Sequence, residues 1–142
     1  VENMHVNTPD NENTQIGPLA AMRQADLLES QVNDSVREGA KIIIGGARSP
    51  NFTGAYYLPT ILTNVTPTMR VWSEEVFGPV LPIMTFDTYE EAIKLANDTI
   101  YGLGSAVFST DLALARRAAS DIDSGFVDIN EGSHWRACNP FG

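Results

Sequence analysis

The sequence predicts an α/β protein: a mostly parallel sheet with helices on both faces. Two observations lead there. Segments with apolar residues at three- and four-residue steps, the period of one helical face, alternate with short, nearly all-apolar stretches rich in β-branched residues. Glycine and proline punctuate almost every junction between them.

Taken in order, about the first dozen residues are rich in Asn, Asp, Thr and Pro and read as a loop. Gly17-Pro18 then opens a helix predicted over residues 18–38. Pro18 suits a first turn because its missing N–H would have no partner there. Ala25, Leu28, Val32 and Val36 form its apolar face, and Gly39 supplies the stop. Lys41 to Ile44, with consecutive isoleucines ahead of Gly45-Gly46, predicts a buried strand. Residues 56–65 (YYLPTILTNV) are β-rich, but Pro59 confines them to an edge or a bent extension, and Pro82 interrupts the extended run 80–86 in a similar way. Thr88 is positioned to cap a helix carrying Ala92, Ile93, Leu95 and Ala96 and ending near Asn97, with Glu90 and Glu91 favouring its N-terminus. Residues 104–108 (GSAVF) predict a strand, 111–122 an alanine-rich helix, and 125–130 (GFVDIN) a final strand.

The 142 residues correspond to one domain, and an apolar content of 43% is that of a globular chain. Lys and Arg number 9 against 18 acids, a net charge of -9, so the surface repels phosphate backbones and anionic lipid. Neither nucleic acid nor a membrane is expected as a partner. One cysteine, Cys138, cannot form an internal disulfide, and His5 and His134 stand apart from any second ligand at metal spacing, so no metal is expected. No stretch reaches the ~18 apolar residues of a membrane span, and the acid-rich start is unlike a signal peptide. These features predict a reducing, cytoplasmic setting.

The stretch most suggestive of chemistry is EEVFGPV, residues 74–80, where adjacent carboxylates precede an aromatic ring set on a Gly-Pro turn. Locally, it fits an ordinary buried turn better than a binding segment. The series GPLAAMRQADLL, GAKIIIGG, YYLPTIL, EEVFGPVLPI, LANDTIYGLGSAVFS, GFVDIN and NPFG, in this order, resembles the C-terminal half of the catalytic domain of NAD(P)-dependent aldehyde dehydrogenases over essentially the whole chain.

That resemblance implies specific roles. Glu75 would bond the hydroxyls of the nicotinamide ribose, since a carboxylate has acceptors for both hydroxyls of a vicinal diol, and Phe77 would pack against the nicotinamide. Glu74 is expected to be a solvated or N-terminal structural acid. Phe141 maps to an aromatic wall of the aldehyde pocket, and Ser133 and Arg136 fall in the pocket loop before it. The family oxidises an aldehyde to its acid through a cysteine thioester, and the resemblance places that cysteine, the water-activating glutamate and the Gly-rich cofactor domain upstream of the matched region. No catalytic residue is therefore expected within residues 1–142. Cys138, just before NPFG, occupies a different place from the family nucleophile. The chain is expected to be a truncated part of such a domain, inactive by itself, and a homo-oligomer as the intact protein. NAD and NADP are not distinguished, because the discriminating residues belong to the cofactor domain. The substrate is an aldehyde, a semialdehyde among the candidates. Two alternatives stay open: a stand-alone, non-catalytic binding or assembly module with the same half-domain fold, and an acylating or acyl-phosphate-reducing relative of the same architecture.

Overall fold

The computed structural model describes residues 1–132. Its class is α/β, with parallel-rich sheets and helices, as the sequence predicts. The chain divides into two compact units, one spanning Val1–Thr85 and the other beginning at Phe86. Where the sequence predicts one sheet, the strands of the described residues form two, one of three strands and one of two.

The first unit contains α1 (Met22–Arg37), β1 (Lys41–Ile44), β2 (Thr60–Thr63), the single turn α2 (Arg70–Ser73) and β3 (Val80–Pro82). Helix α1 begins four residues later than expected. The Leu19 N–H is engaged by the Ala55 carbonyl at 2.9 Å, so Pro18 belongs to a segment bonded across to a loop instead of to a first helical turn. The C-terminus of α1 follows the sequence closely. Gly39 adopts φ +117°, its N–H bonds the Val36 carbonyl at 3.1 Å, and the Ala40 N–H reaches back to Ser35 at 3.0 Å. This paired arrangement satisfies carbonyls that would otherwise end the helix unpartnered, and glycine reaches the left-handed region without a Cβ penalty.

β2 is central, with β1 antiparallel on one side and β3 parallel on the other. The expectation of an edge strand fails because the strand starts after Pro59: the missing N–H lies outside the ladder, and the first paired residue, Thr60, still donates its N–H to the Pro79 carbonyl at 2.8 Å. β1 occupies its predicted span exposed instead of buried, with Ile43 62% accessible, because it lies at the edge of this sheet. Pro82 does close β3. The core gathers Leu28 and Val32 from α1 with Tyr57, Leu62, Val65, Met69 and Val71.

The second unit holds α3 (Tyr89–Asn97), β4 (Gly104–Val107), α4 (Leu112–Asp121) and β5 (Phe126–Ile129). Both helices are capped by side chains, the first by Thr88 as the sequence predicts. Thr88 Oγ1 accepts the Glu91 N–H at 3.2 Å, and Asp111 Oδ1 accepts those of Ala113 and Leu114 at 2.9 and 3.0 Å. β4 and β5 pair in parallel, a register that needs the intervening crossover helix α4. Two asparagines fasten the ends: Asn130 exchanges two hydrogen bonds with the Ser109 backbone, and Asn97 bonds the backbone of Asp121 and Asp123.

Candidate functional site

EEVFGPV runs from the C-terminal end of α2 into β3. Glu74, its side chain 42% exposed, is turned back onto a surface polar cluster with Arg70 and Gln31. Val76 packs against the core formed beneath α1. Between and beyond them, Glu75 is exposed and Phe77 is 66% exposed.

Two tight turns fix this segment. The Gly78 N–H donates to the Val76 carbonyl at 3.1 Å, and the Val80 N–H to the Gly78 carbonyl at 2.8 Å, each closing a three-residue turn, the first centred on Phe77 and the second on Pro79. Gly78 lies so close to the Leu28 side chain that an added Cβ would collide with it. The aromatic side chain is therefore held out from a backbone that is itself packed down.

The two adjacent glutamates have opposite fates. Glu74 accepts from Arg70 twice, Nε to Oε1 at 2.8 Å and Nη2 to Oε2 at 3.0 Å, and from Gln31 Nε2 at 3.0 Å. Those hydrogen bonds, Arg70 first and Gln31 second, hold its carboxyl below the usual carboxylate range. These bonds fasten it at the C-terminal end of α2, where the sequence predicts a solvated or N-terminal acid. Arg70 also reaches Asp34 at 2.6 Å and Ser30 at 2.9 Å on α1, and its hydrogen bond is the first reason that Asp34 is lowered as well. Asp34 pairs further with Arg37. The Glu75 carboxylate makes no hydrogen bond or ion pair among the described residues, so its acceptor oxygens are available to a ligand.

Glu75 and Phe77 thus lie on one fixed segment, on either side of an anchored valine. Ser133, Arg136 and Phe141, like His134 and Cys138, lie outside the described residues. Sequence reasoning missed Gln31 and Arg70. A signal for Gln31 was present: it is a polar residue among Leu28, Val32 and Ser35 on the buried face of α1, where a polar side chain must find partners. For Arg70 the signal was its place four residues ahead of Glu74.

Elsewhere, the second unit has an apolar hollow of about 470 Å³ between α3, β4 and α4, bordered by Phe86, Ile93, Val107, Phe108, Leu114 and Ala115. None of the expected site residues lines it. Among the described residues no three His, Cys, Asp or Glu side chains are grouped to hold a metal ion, and no helix is long and apolar enough to cross a membrane.

The profile described as "Aldehyde dehydrogenase family" matches residues 1–142. The chain belongs to that family. It is 45% identical over 134 residues to the succinate-semialdehyde dehydrogenase [NADP(+)] of Deinococcus radiodurans, a match covering 94% of this chain and 28% of that protein. With the 3-sulfolactaldehyde dehydrogenase of Priestia aryabhattai it shares 42% identity over 142 residues, covering 99% of this chain and 29% of the relative. Its fold superimposes with a TM-score of 0.92 on the betaine aldehyde dehydrogenase of Staphylococcus aureus in complex with NAD+, at 38% identity, over 99% of this chain and 29% of that one. The chain therefore spans less than a third of the length of these relatives.

Proposed function

We propose that residues 1–142 are the C-terminal part of the catalytic domain of an NAD(P)-dependent aldehyde dehydrogenase, in which Glu75 holds the nicotinamide ribose and Phe77 packs against the nicotinamide. The observation that carries this reading is the contrast within EEVFGPV. Glu74 is consumed by Arg70 and Gln31, while Glu75 and Phe77 stand free on the two sides of Val76. The residues fit the group: an unpartnered carboxylate accepts from both hydroxyls of a diol, and an exposed ring on a rigid turn offers a flat contact. When bound, NAD or NADP supplies the oxidant for the aldehyde carbon. The contribution of this chain is positioning, which matters because rate falls steeply with misplacement of reacting groups.

In the intact protein the reaction is oxidation of an aldehyde to a carboxylic acid through a cysteine thioester, with the thiol and the water-activating carboxylate supplied from outside this segment. Residues 1–142 alone turn over no aldehyde. The names of the relatives favour an aldehyde that carries a second polar or charged group, a semialdehyde among them. Ser133, Arg136 and Phe141 are assigned to the aldehyde pocket from the family resemblance. The intact protein is proposed to be a cytoplasmic homo-oligomer, a reading supported by the acidic composition, the single cysteine and the resemblance.

Glu75→Gln in the full-length protein tests the proposal. The substitution keeps size and removes the charge, so single-turnover oxidation is expected to slow by about tenfold to a hundredfold, corresponding to the ~1.5–3 kcal/mol of a charged hydrogen bond. Wild-type rates in a folded variant would refute the assigned role.

A further inference from the structure

Gln31 sits on the buried face of α1, 2% exposed, and its carboxamide is the point at which that helix meets the EEVF segment. One nitrogen, Nε2, serves two acceptors: Glu74 Oε2 at 3.0 Å and the main-chain carbonyl of Glu75 at 3.1 Å. The NH2 group has two donors, and each finds a separate acceptor. The first bond ties the Glu74 side chain to α1. The second fixes the peptide plane between Glu75 and Val76, the unit from which the exposed carboxylate departs on one side and the anchored valine on the other.

The surrounding polar bonds make this amide a defined support. Its own helix is tied to α2 by Ser35, whose hydroxyl donates to the Gln31 carbonyl at 2.9 Å and accepts the Val71 N–H at 3.3 Å. Arg70 closes the cluster from the other side by joining Glu74 to Asp34 and Ser30. A hydrophobic residue at position 31 would suit the core equally well for volume, yet would leave the Glu75 carbonyl without this donor. A buried amide with both donors directed into one functional motif is a costly feature to retain unless it fixes that motif.

We propose that Gln31 is a positioning residue of the cofactor site, setting through the Glu75 carbonyl and the Glu74 carboxylate where Glu75 and Phe77 are presented. The inference rests on the reading of Glu75 as the ribose ligand. Gln31 touches neither cofactor nor substrate; it acts through the backbone of the residue that does.

The test uses the full-length protein in three variants: Gln31→Met, Glu75→Gln and the double variant. Gln31→Glu, which keeps the size and removes both donors, serves as a second substitution should Gln31→Met fail to fold. The first readout needs no cofactor: amide hydrogen exchange in the unliganded protein. Loss of the clamp is expected to speed exchange in residues 75–80, where the Gly78 and Val80 amides close the two turns, while the rest of the first unit keeps its protection. The second readout pairs NADH and NADPH dissociation constants with single-turnover rates. Gln31→Met is expected to weaken nucleotide binding and slow the single turnover by about tenfold, with the aldehyde KM unchanged. Because Gln31 acts through Glu75, the double variant should be no worse than Glu75→Gln alone. Wild-type exchange in residues 75–80 of a folded position-31 variant overturns the clamp, as do defects that add fully in the double variant. Wild-type behaviour of Glu75→Gln overturns the ribose reading instead, and the exchange result still decides whether Gln31 holds the segment.

Discussion

Tyr57→Phe should stabilise this chain and, with the same substitution, remove part of its sensitivity to alkali. The Tyr57 side chain is 1% exposed in the core of the first unit, yet its hydroxyl has no hydrogen-bond partner among the described residues. A buried hydroxyl in that position costs about 1–3 kcal/mol, and the phenylalanine ring fills the same space apart from one oxygen, so a net gain of about 1–2 kcal/mol is expected. The alkaline effect has a separate origin. Burial above all, with the Glu29 carboxylate adding and Arg48 opposing, pushes the Tyr57 phenol up to about 12 from 10.0. Above pH ~10 the unfolded chain releases this proton while the folded chain retains it, so stability falls as pH rises through that window, by roughly 2–3 kcal/mol at its end. Urea unfolding followed by far-UV circular dichroism, at neutral pH and at steps between about pH 9 and 12, measures both effects. Tyr89, whose phenol is also raised, by burial first and then by its bond to Asp121, remains in both proteins as the internal comparison. A variant less stable than the parent at neutral pH, or one with an unchanged alkaline limb, would refute the argument that the hydroxyl is buried and unpartnered.

Phe77→Ala should change the urea midpoint of this chain little, by less than about 0.5 kcal/mol, because the ring is 66% exposed; a loss of several times that size would mean the ring is a core element. Gly45→Ala should destabilise by about 2–4 kcal/mol in the same assay, since Gly45 has φ +74° and an added Cβ would collide with the Pro59 carbonyl; a neutral result would show that the β1–β2 approach is looser than described. Asp34 and Glu74, both lowered first by their bonds to Arg70, hold fewer protons folded than unfolded below their ordinary values of 3.8 and 4.5, so stability present at neutral pH is lost as pH falls through and below about 4. Arg70→Met should flatten that acid limb in urea titrations, and an unaltered limb would assign it to other carboxylates.

What the sequence disclosed, and what it withheld, divides along the range of the forces involved. The stop at Gly39 and the cap at Thr88 involve groups within a few residues of each other, so residue type and spacing suffice to predict them. The isoleucines of β1 show the limit. Their pattern says that the strand favours burial, but which surface covers it depends on partners that local sequence does not specify, and here Ile42 and Ile43 lie on an edge strand with their side chains open. Pro59 misled for a different reason. The rule that proline avoids central strands concerns the donated N–H, and β2 begins at Thr60, just past Pro59 instead of at residue 56, which removes the conflict.

The candidate site was half legible for the same reason, and its hidden half bears most on function. Residue types in EEVFGPV identify a carboxylate beside an aromatic, but nothing in the motif distinguishes Glu74 from Glu75 physically; their intrinsic acidities and volumes are equal. The distinction is imposed from α1. Gln31, 43 positions before Glu74, and Arg70, which is itself bonded to Asp34 on that helix, supply donors on one side of the segment only. The carboxylate facing those donors becomes structure, and the next one, directed away, keeps its acceptors. Val76 in the core then prevents the segment from rotating to exchange them. The availability of the Glu75 acceptor oxygens is accordingly a property of asymmetry in the support beneath the motif. A variant that weakens the support without touching Glu75 should blur the difference between the two acids before it unfolds the protein, because the core contacts of Leu28, Val32 and Val71 do not depend on the amide.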